Sequence, residues 1–240
     1  MLPQNASQPL NAGTFTPEQV AAEQAAFMRK VYAIMTFGLA ATGLTALVVF
    51  HSEAATRFIF GTPGVYLGLI IAELVMVFTF AALARRMSAV GAAALFYIYA
   101  ILNGLTLSVV FLIYTKGSIA STFFVTAGTF GAMSAYGYVT KRDLTSVGNF
   151  MFMGLIGLIL ASIVNIFLGS EMIYWLTTYA GILIFVGLTA YDTQKLKMIA
   201  AATADNPAMA SRLAISGALR LYLDFINLFL YLLRIMGKRR

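Results

Sequence analysis

The chain has 240 residues, 60% of them hydrophobic and only 10% charged, against roughly 25% charge in an ordinary water-soluble domain, so a soluble fold is excluded. With no cysteine and one histidine, a disulfide framework, a cysteine-ligated metal and a multi-histidine site are excluded as well. The net charge of +7 comes from Lys and Arg scattered at the ends of apolar runs; they build no basic face with interleaved aromatics, so nucleic acid is not an expected partner.

Residues 1–15 read as a loop. In Thr16-Pro17-Glu18-Gln19, threonine suits a helix cap, proline suits the first turn and Gln19 can close a capping box. A helix from Pro17 is therefore predicted to lead into the first span, making residues 1–30 a solvated cytosolic segment with a short helix. Polar and alanine-rich sequence precedes the first apolar run where a secretory leader would have a short basic region, so no cleaved signal is expected.

Seven apolar stretches, at 31–50, 64–84, 89–114, 120–140, 147–168, 173–191 and 218–236, approach the length of about 20 residues that crosses a hydrocarbon core of about 30 Å. The expected fold is all-α: a polytopic membrane protein, a seven-helix bundle over 31–236 followed by a basic tail at 237–240. Arg29, Lys30, Arg85, Arg86, Lys141, Arg142, Lys195, Lys197, Arg212 and Arg220 fall on one side of such a bundle, against Arg57 and Lys116 on the other. The rich side, with the N-terminus, is expected in the cytoplasm. Arg234, Lys238, Arg239 and Arg240 then lie outside, against the charge rule, unless 218–236 is a re-entrant hairpin. A full span is favoured, because the stretch has no proline or glycine to make a tight reversal. Gly38, Gly43, Gly104, Gly131, Gly154, Gly157 and Gly181 read as sites of close helix approach.

Acidic residues inside spans carry the functional signal, since a carboxylate at mid-bilayer costs about 2.5–3.5 kcal/mol on insertion scales and needs water or a partner. Glu73 sits near the midpoint of the second span with no basic residue one turn away. It calls for a neutral state, a partner on another helix, or a wet cavity, and so is a candidate pathway residue. Asp192 closes the sixth span and Asp224 lies about one and a half turns into the seventh; both fall at similar depth on helices that a connecting loop permits to be neighbours. Two carboxyls in one low-dielectric site share a proton and titrate as a unit, and, deprotonated, their oxygens offer a loose site for a hard cation such as Ca²⁺. Bland alternatives stand beside this reading. Arg220 and Asn227, four residues before and three after Asp224, would satisfy that carboxylate within its own helix, and Asp192 would be a helix-end acid near Lys195. Arg85 and Arg86 end the second span at about the depth of the aspartates, placed either to lock them or to snorkel to headgroups. Motifs of soluble enzymes and of cofactor binding are absent, so neither an enzymatic activity nor a cofactor is expected.

Tyr191-Asp192-Thr193-Gln194 and Leu221-Tyr222-Leu223-Asp224-Phe225-Ile226-Asn227-Leu228-Phe229 resemble the Bax inhibitor-1 (TMBIM) family, and its bacterial inner-membrane branch fits best. The resemblance covers about Met28 to Met236. It implies seven helices with the last near the centre, and a pH-sensitive Ca²⁺ leak in which Asp192 and Asp224 form a proton-sensing dyad that also meets the cation. It further implies a latch at Arg85 or Arg86, with Arg85 favoured, and a glutamate gate at Glu73. On this reading Ca²⁺ is the permeating ion, protons are the signal, and membrane lipid is the surroundings. The tail Lys238-Arg239-Arg240 has no acid nearby, unlike the longer charged tails of eukaryotic members. Some bacterial relatives restrain a membrane-anchored ATP-dependent protease, and a projecting segment such as Thr16 to Lys30 would suit that contact.

Overall fold

The computed structural model describes residues 16–83 and 87–240. They form nine helices and no sheet: α1 (Pro17–His51), α2 (Glu53–Gly61), α3 (Val65–Leu83), α4 (Ala89–Leu107), α5 (Val109–Ile113), α6 (Lys116–Val139), α7 (Thr145–Leu168), α8 (Glu171–Ala202) and α9 (Pro207–Met236). The protein is an all-α, polytopic membrane protein. Its outer faces are apolar, with Phe150, Ile166 and Phe167 of α7 and Phe78 of α3 turned outward, as lipid contact requires.

The expected capping box starts α1: the Gln19 amide donates to Thr16 Oγ1 (3.3 Å) and the Thr16 amide to Gln19 Oε1 (2.9 Å). From there α1 runs unbroken for 35 residues, about 52 Å at 1.5 Å per residue, so it overshoots a hydrocarbon core of about 30 Å. The connection after His51 holds an unforeseen helix, α2, capped by Ser52 Oγ on the Ala55 amide (3.2 Å) and tied to α1 by Thr56 Oγ1 donating to the Val49 carbonyl (2.9 Å). The stretch expected as one span at 89–114 is interrupted at Ser108, whose hydroxyl turns back to the Leu105 carbonyl (2.6 Å).

Among the described residues, six helical stretches are long and apolar enough to cross a bilayer. The remaining expected span, 120–140, corresponds to α6, which has 24 residues. At helical rise that is about 36 Å, sufficient to cross a hydrocarbon core of about 30 Å.

Helix α9 is the centre of the bundle. It packs on α8, α1, α6 and α4, and 67% of its apolar stretch is buried, against 6% for α3 and for α7. It is one continuous helix of 30 residues, so the re-entrant alternative is excluded. The tail beyond it pairs with the α5–α6 connection: the Thr115 amide donates to the Lys238 carbonyl (2.9 Å) and the Arg240 amide to the Ile113 carbonyl (3.0 Å). Arg240 lies over the Phe50 ring at 5.2 Å and Arg234 over Tyr231 at 4.9 Å. Cation–π contacts thus hold two of the basic groups expected to break the charge rule.

Close approach explains some of the glycines. A Cβ on Gly137 would strike the Ala190 backbone, so only glycine lets α6 lie this close to α8, and one on Gly104 would meet the Thr42 carbonyl oxygen at 2.6 Å. Gly43, Gly131 and Gly157 do not serve this role, because their Cβ positions face open space.

Candidate functional site

Helix α3 packs chiefly on α4, and α7 on α8. These two walls and α9 between them enclose a cavity of about 1010 Å³ lined by Glu73, Asn103, Asp192, Lys195, Arg220 and Asp224 among others. Its α9 wall runs from Arg220 to Arg234, about 21 Å at helical rise.

The chain Tyr191-Asp192-Thr193-Gln194 is held firmly. Gln194 accepts from the Leu144 amide (2.9 Å) and donates to the Arg142 carbonyl (2.8 Å), fixing the α6–α7 loop onto α8. Asp192 is 5% exposed. Its Oδ1 accepts from Arg220 Nη1 of α9 at 3.2 Å, the single ion pair among the described residues. Asp224 is 4% exposed and has Asp192 and Arg220 as its charged neighbours. Its Oδ2 is buried without a hydrogen bond among the described residues.

The structure therefore brings Asp192 and Asp224 together, and it alters the local pairing anticipated for Asp224. Arg220 reaches across to Asp192 instead of forming an ion pair within its own helix, and Asn227 donates to the Leu223 carbonyl (2.8 Å), a neighbour on its own backbone. Lys195, also near Asp192, donates to the Tyr191 hydroxyl (3.3 Å). Arg85 and Arg86 lie outside the described residues. With Arg220 and Lys195 both beside Asp192, what the site leaves unmet is the second oxygen of Asp224, which a proton or a cation would satisfy. No group of three or more His, Cys, Asp or Glu side chains gathers among the described residues, so Asp192 and Asp224 offer Ca²⁺ few of the six to eight oxygens it takes.

Glu73 lies on the opposite wall with a partner on another helix and a cavity beside it, two of the three environments its position demanded. Its oxygens accept from Thr106 Oγ1 (2.6 Å) and Asn103 Nδ2 (3.2 Å) of α4. Asn103 Oδ1 in turn accepts from the Tyr222 hydroxyl of α9 (3.1 Å), which also bonds Thr42 of α1 (2.7 Å). One hydrogen-bonded chain thus crosses α3, α4, α9 and α1. Tyr222 and Arg220 are two residues apart, about 200° around the helix, so α9 is gripped from opposite sides, by Asn103 and Thr42 on one and by Asp192 on the other. Sequence reading missed Asn103, Thr106 and Tyr222; the available signal was an asparagine deep in an apolar span.

The chain is similar to known proteins over most of its length. The family model described as inhibitor of apoptosis-promoting Bax1 matches residues 24–240. Inner membrane protein YbhL of Escherichia coli is 52% identical over 216 residues, covering 89% of this chain and 92% of the relative. Uncharacterized proteins of Rickettsia prowazekii (47% identical, 89% of this chain, 90% of the relative) and Borreliella burgdorferi (42%, 89% and 92%) are similar over the same extent. The chain belongs to the Bax inhibitor-1 family of membrane proteins.

Proposed function

We propose that the protein is a pH-sensitive Ca²⁺ leak channel of the cell membrane, with Asp192 and Asp224 as its proton sensor. The observation that carries this reading is the unpartnered buried oxygen of Asp224 beside the Asp192–Arg220 pair, in the cavity that also holds Glu73. A buried carboxylate oxygen without a donor is costly unless a proton or cation visits it. When both aspartates are ionised, Arg220 binds Asp192 and the free Asp224 oxygen offers Ca²⁺ a ligand. When the pair holds a proton, that ligand is lost and the grip between α8 and α9 changes. Arg85 or Arg86 would add a latch from the end of α3. Glu73 lines the path further along, its charge spread over two donors. With few fixed oxygens the ion passes and is not stored, and no covalent step or cofactor is called for. The N-terminus and the Lys195–Arg220 end face the cytoplasm in this reading, following the basic side of the bundle.

Purified protein in vesicles loaded with a Ca²⁺-sensitive dye tests the proposal. Flux should depend on pH, and Asp192→Asn or Asp224→Asn should flatten that dependence. Flux indifferent to pH and to both substitutions would overturn it.

A second reading is favoured by one feature, the overshoot of α1. Glu18, Gln19 and Glu23 are exposed on its first turns, about 12–20 Å beyond the bilayer core by helical rise. Such a helix would suit a non-channel regulator that binds and restrains a membrane-anchored ATP-dependent protease. Deleting residues 1–27 should then abolish capture of the protease from membranes, while under the channel reading Ca²⁺ flux survives the deletion.

A further inference from the structure

Helices α1 and α6 both pack on α8 and α9 but form no packed interface with each other. Between them lies a second cavity of about 1040 Å³, on a different face from the carboxyl pair. Tyr32, Met35 and Leu39 of α1 form one wall, Ala127 and Phe130 of α6 the other, and Phe225 of α9 the floor. Gly43 and Gly131 also line it, and a Cβ built on either meets nothing within 4 Å. The groove is therefore real space that larger side chains would fill.

Its charge sits at one end. Arg29 lines the groove there, and among the described residues its guanidinium has no carboxylate partner. Nearby cations are already engaged: Lys30 donates to Ser211 Oγ (2.7 Å) and Lys197 to the Tyr138 carbonyl (2.8 Å). An apolar slot ending in an uncommitted guanidinium suits an amphiphile with an anionic head. From Arg29 to Gly43 is 14 residues of helix, about 21 Å, room for an acyl chain of one leaflet, whose hydrocarbon is about 15 Å deep.

We infer that the α1–α6 groove is a binding site for one anionic phospholipid, its phosphate on Arg29 and an acyl chain running past Met35 toward Gly43 and Gly131. A second copy of the chain fits less well. A twofold contact would bring this positive end against its own symmetry mate, whereas an anionic headgroup supplies the missing charge.

The test is native mass spectrometry of the full chain released from vesicles of equal parts phosphatidylglycerol and phosphatidylethanolamine. The wild type should retain one phosphatidylglycerol. Arg29→Gln should lower that retention about fivefold, the worth of one basic group at an anionic surface, and Arg29→Lys should keep most of it. Gly131→Leu, growing into open space, should remove the lipid while the melting temperature holds. Arg57→Gln, a basic residue of α2 away from the groove, should change nothing. Absence of bound lipid, equal retention of both lipids, equal loss with Arg57→Gln, or a dimer dispersed by Gly131→Leu would each overturn the site. Should Gly131→Leu fail to fold, the Arg29 pair of variants decides alone.

Discussion

Arg220 of α9 donates to Asp192 of α8 at 3.2 Å, while Asp224, one turn along Arg220's own helix, keeps a buried oxygen without a donor. The guanidinium ties two helices together and leaves that Asp224 oxygen without a hydrogen bond. Arg220→Gln should therefore destabilise the protein by about 1–2 kcal/mol, less than the loss of a fully buried partner because the arginine side chain is half exposed. Thermal unfolding in detergent measures this. A double-mutant cycle with Asp192→Asn should return a coupling of about 1 kcal/mol; strictly additive losses would mean that the two residues do not act as a pair.

Tyr222 is wholly buried, and its hydroxyl serves Thr42 and Asn103 together. Tyr222→Phe keeps the ring but strands the Asn103 oxygen, while Thr42 keeps the Gly38 and Ala100 carbonyls as acceptors, so it should cost about 1–3 kcal/mol. Asn103→Ala combined with Tyr222→Phe should then add less than Asn103→Ala costs alone. Equal costs with and without the tyrosine hydroxyl would show that the hydrogen-bonded chain across α9 carries no energy.

Gly137 and Gly157 predict opposite signs for the same substitution. Gly137→Ala drives a methyl into the Ala190 backbone and should cost about 1–3 kcal/mol through overpacking. Gly157→Ala meets open space and should be neutral or stabilising by up to about 1 kcal/mol, the difference in helix propensity. Melting temperatures of the two variants check the α6–α8 contact directly.

Asp143, in the exposed α6–α7 loop, supplies a control for pH effects. Hydrogen bonds from Thr145, including its amide at 2.8 Å, hold the Asp143 carboxyl below the usual carboxylate range. A group lowered in the folded state contributes stability above its unfolded pKa and loses it as pH falls through its folded value. Acid should therefore loosen the first turn of α7, visible as a lower protection factor at the Thr145 amide. Asp143→Asn should remove that acid response and leave the pH dependence of Ca²⁺ flux intact; loss of both together would place the sensor in this loop.

Much of this architecture was legible from residue types and spacing. Thr16 and Gln19 announced the start of α1, because a capping box is a local hydrogen-bond pattern. Asp192 and Asp224 fell at one depth by counting residues along two antiparallel helices. Rotation was the hidden variable. An i, i+4 spacing places Arg220 and Asp224 on one face but does not say what that face meets, so the Asp192 pairing emerged only in three dimensions. The glycines show the same limit: Gly137 and Gly131 look alike in the chain, yet one touches backbone and the other borders a groove. Asn103 and Tyr222 carry no charge, so neither stood out beside the carboxylates of Glu73, Asp192 and Asp224. Helix α2 was hidden by its length of nine residues, too short for a periodicity to stand out.

The most direct measurement is an infrared difference titration of the protein in membranes, following the carbonyl band of protonated carboxylic acid as pH rises. If Asp192 and Asp224 share a proton, one band should disappear in a single step coupled to a change in Ca²⁺ flux, and both Asp192→Asn and Asp224→Asn should abolish it. A band that survives both substitutions, or two aspartates that titrate independently with no effect on flux, would contradict the account.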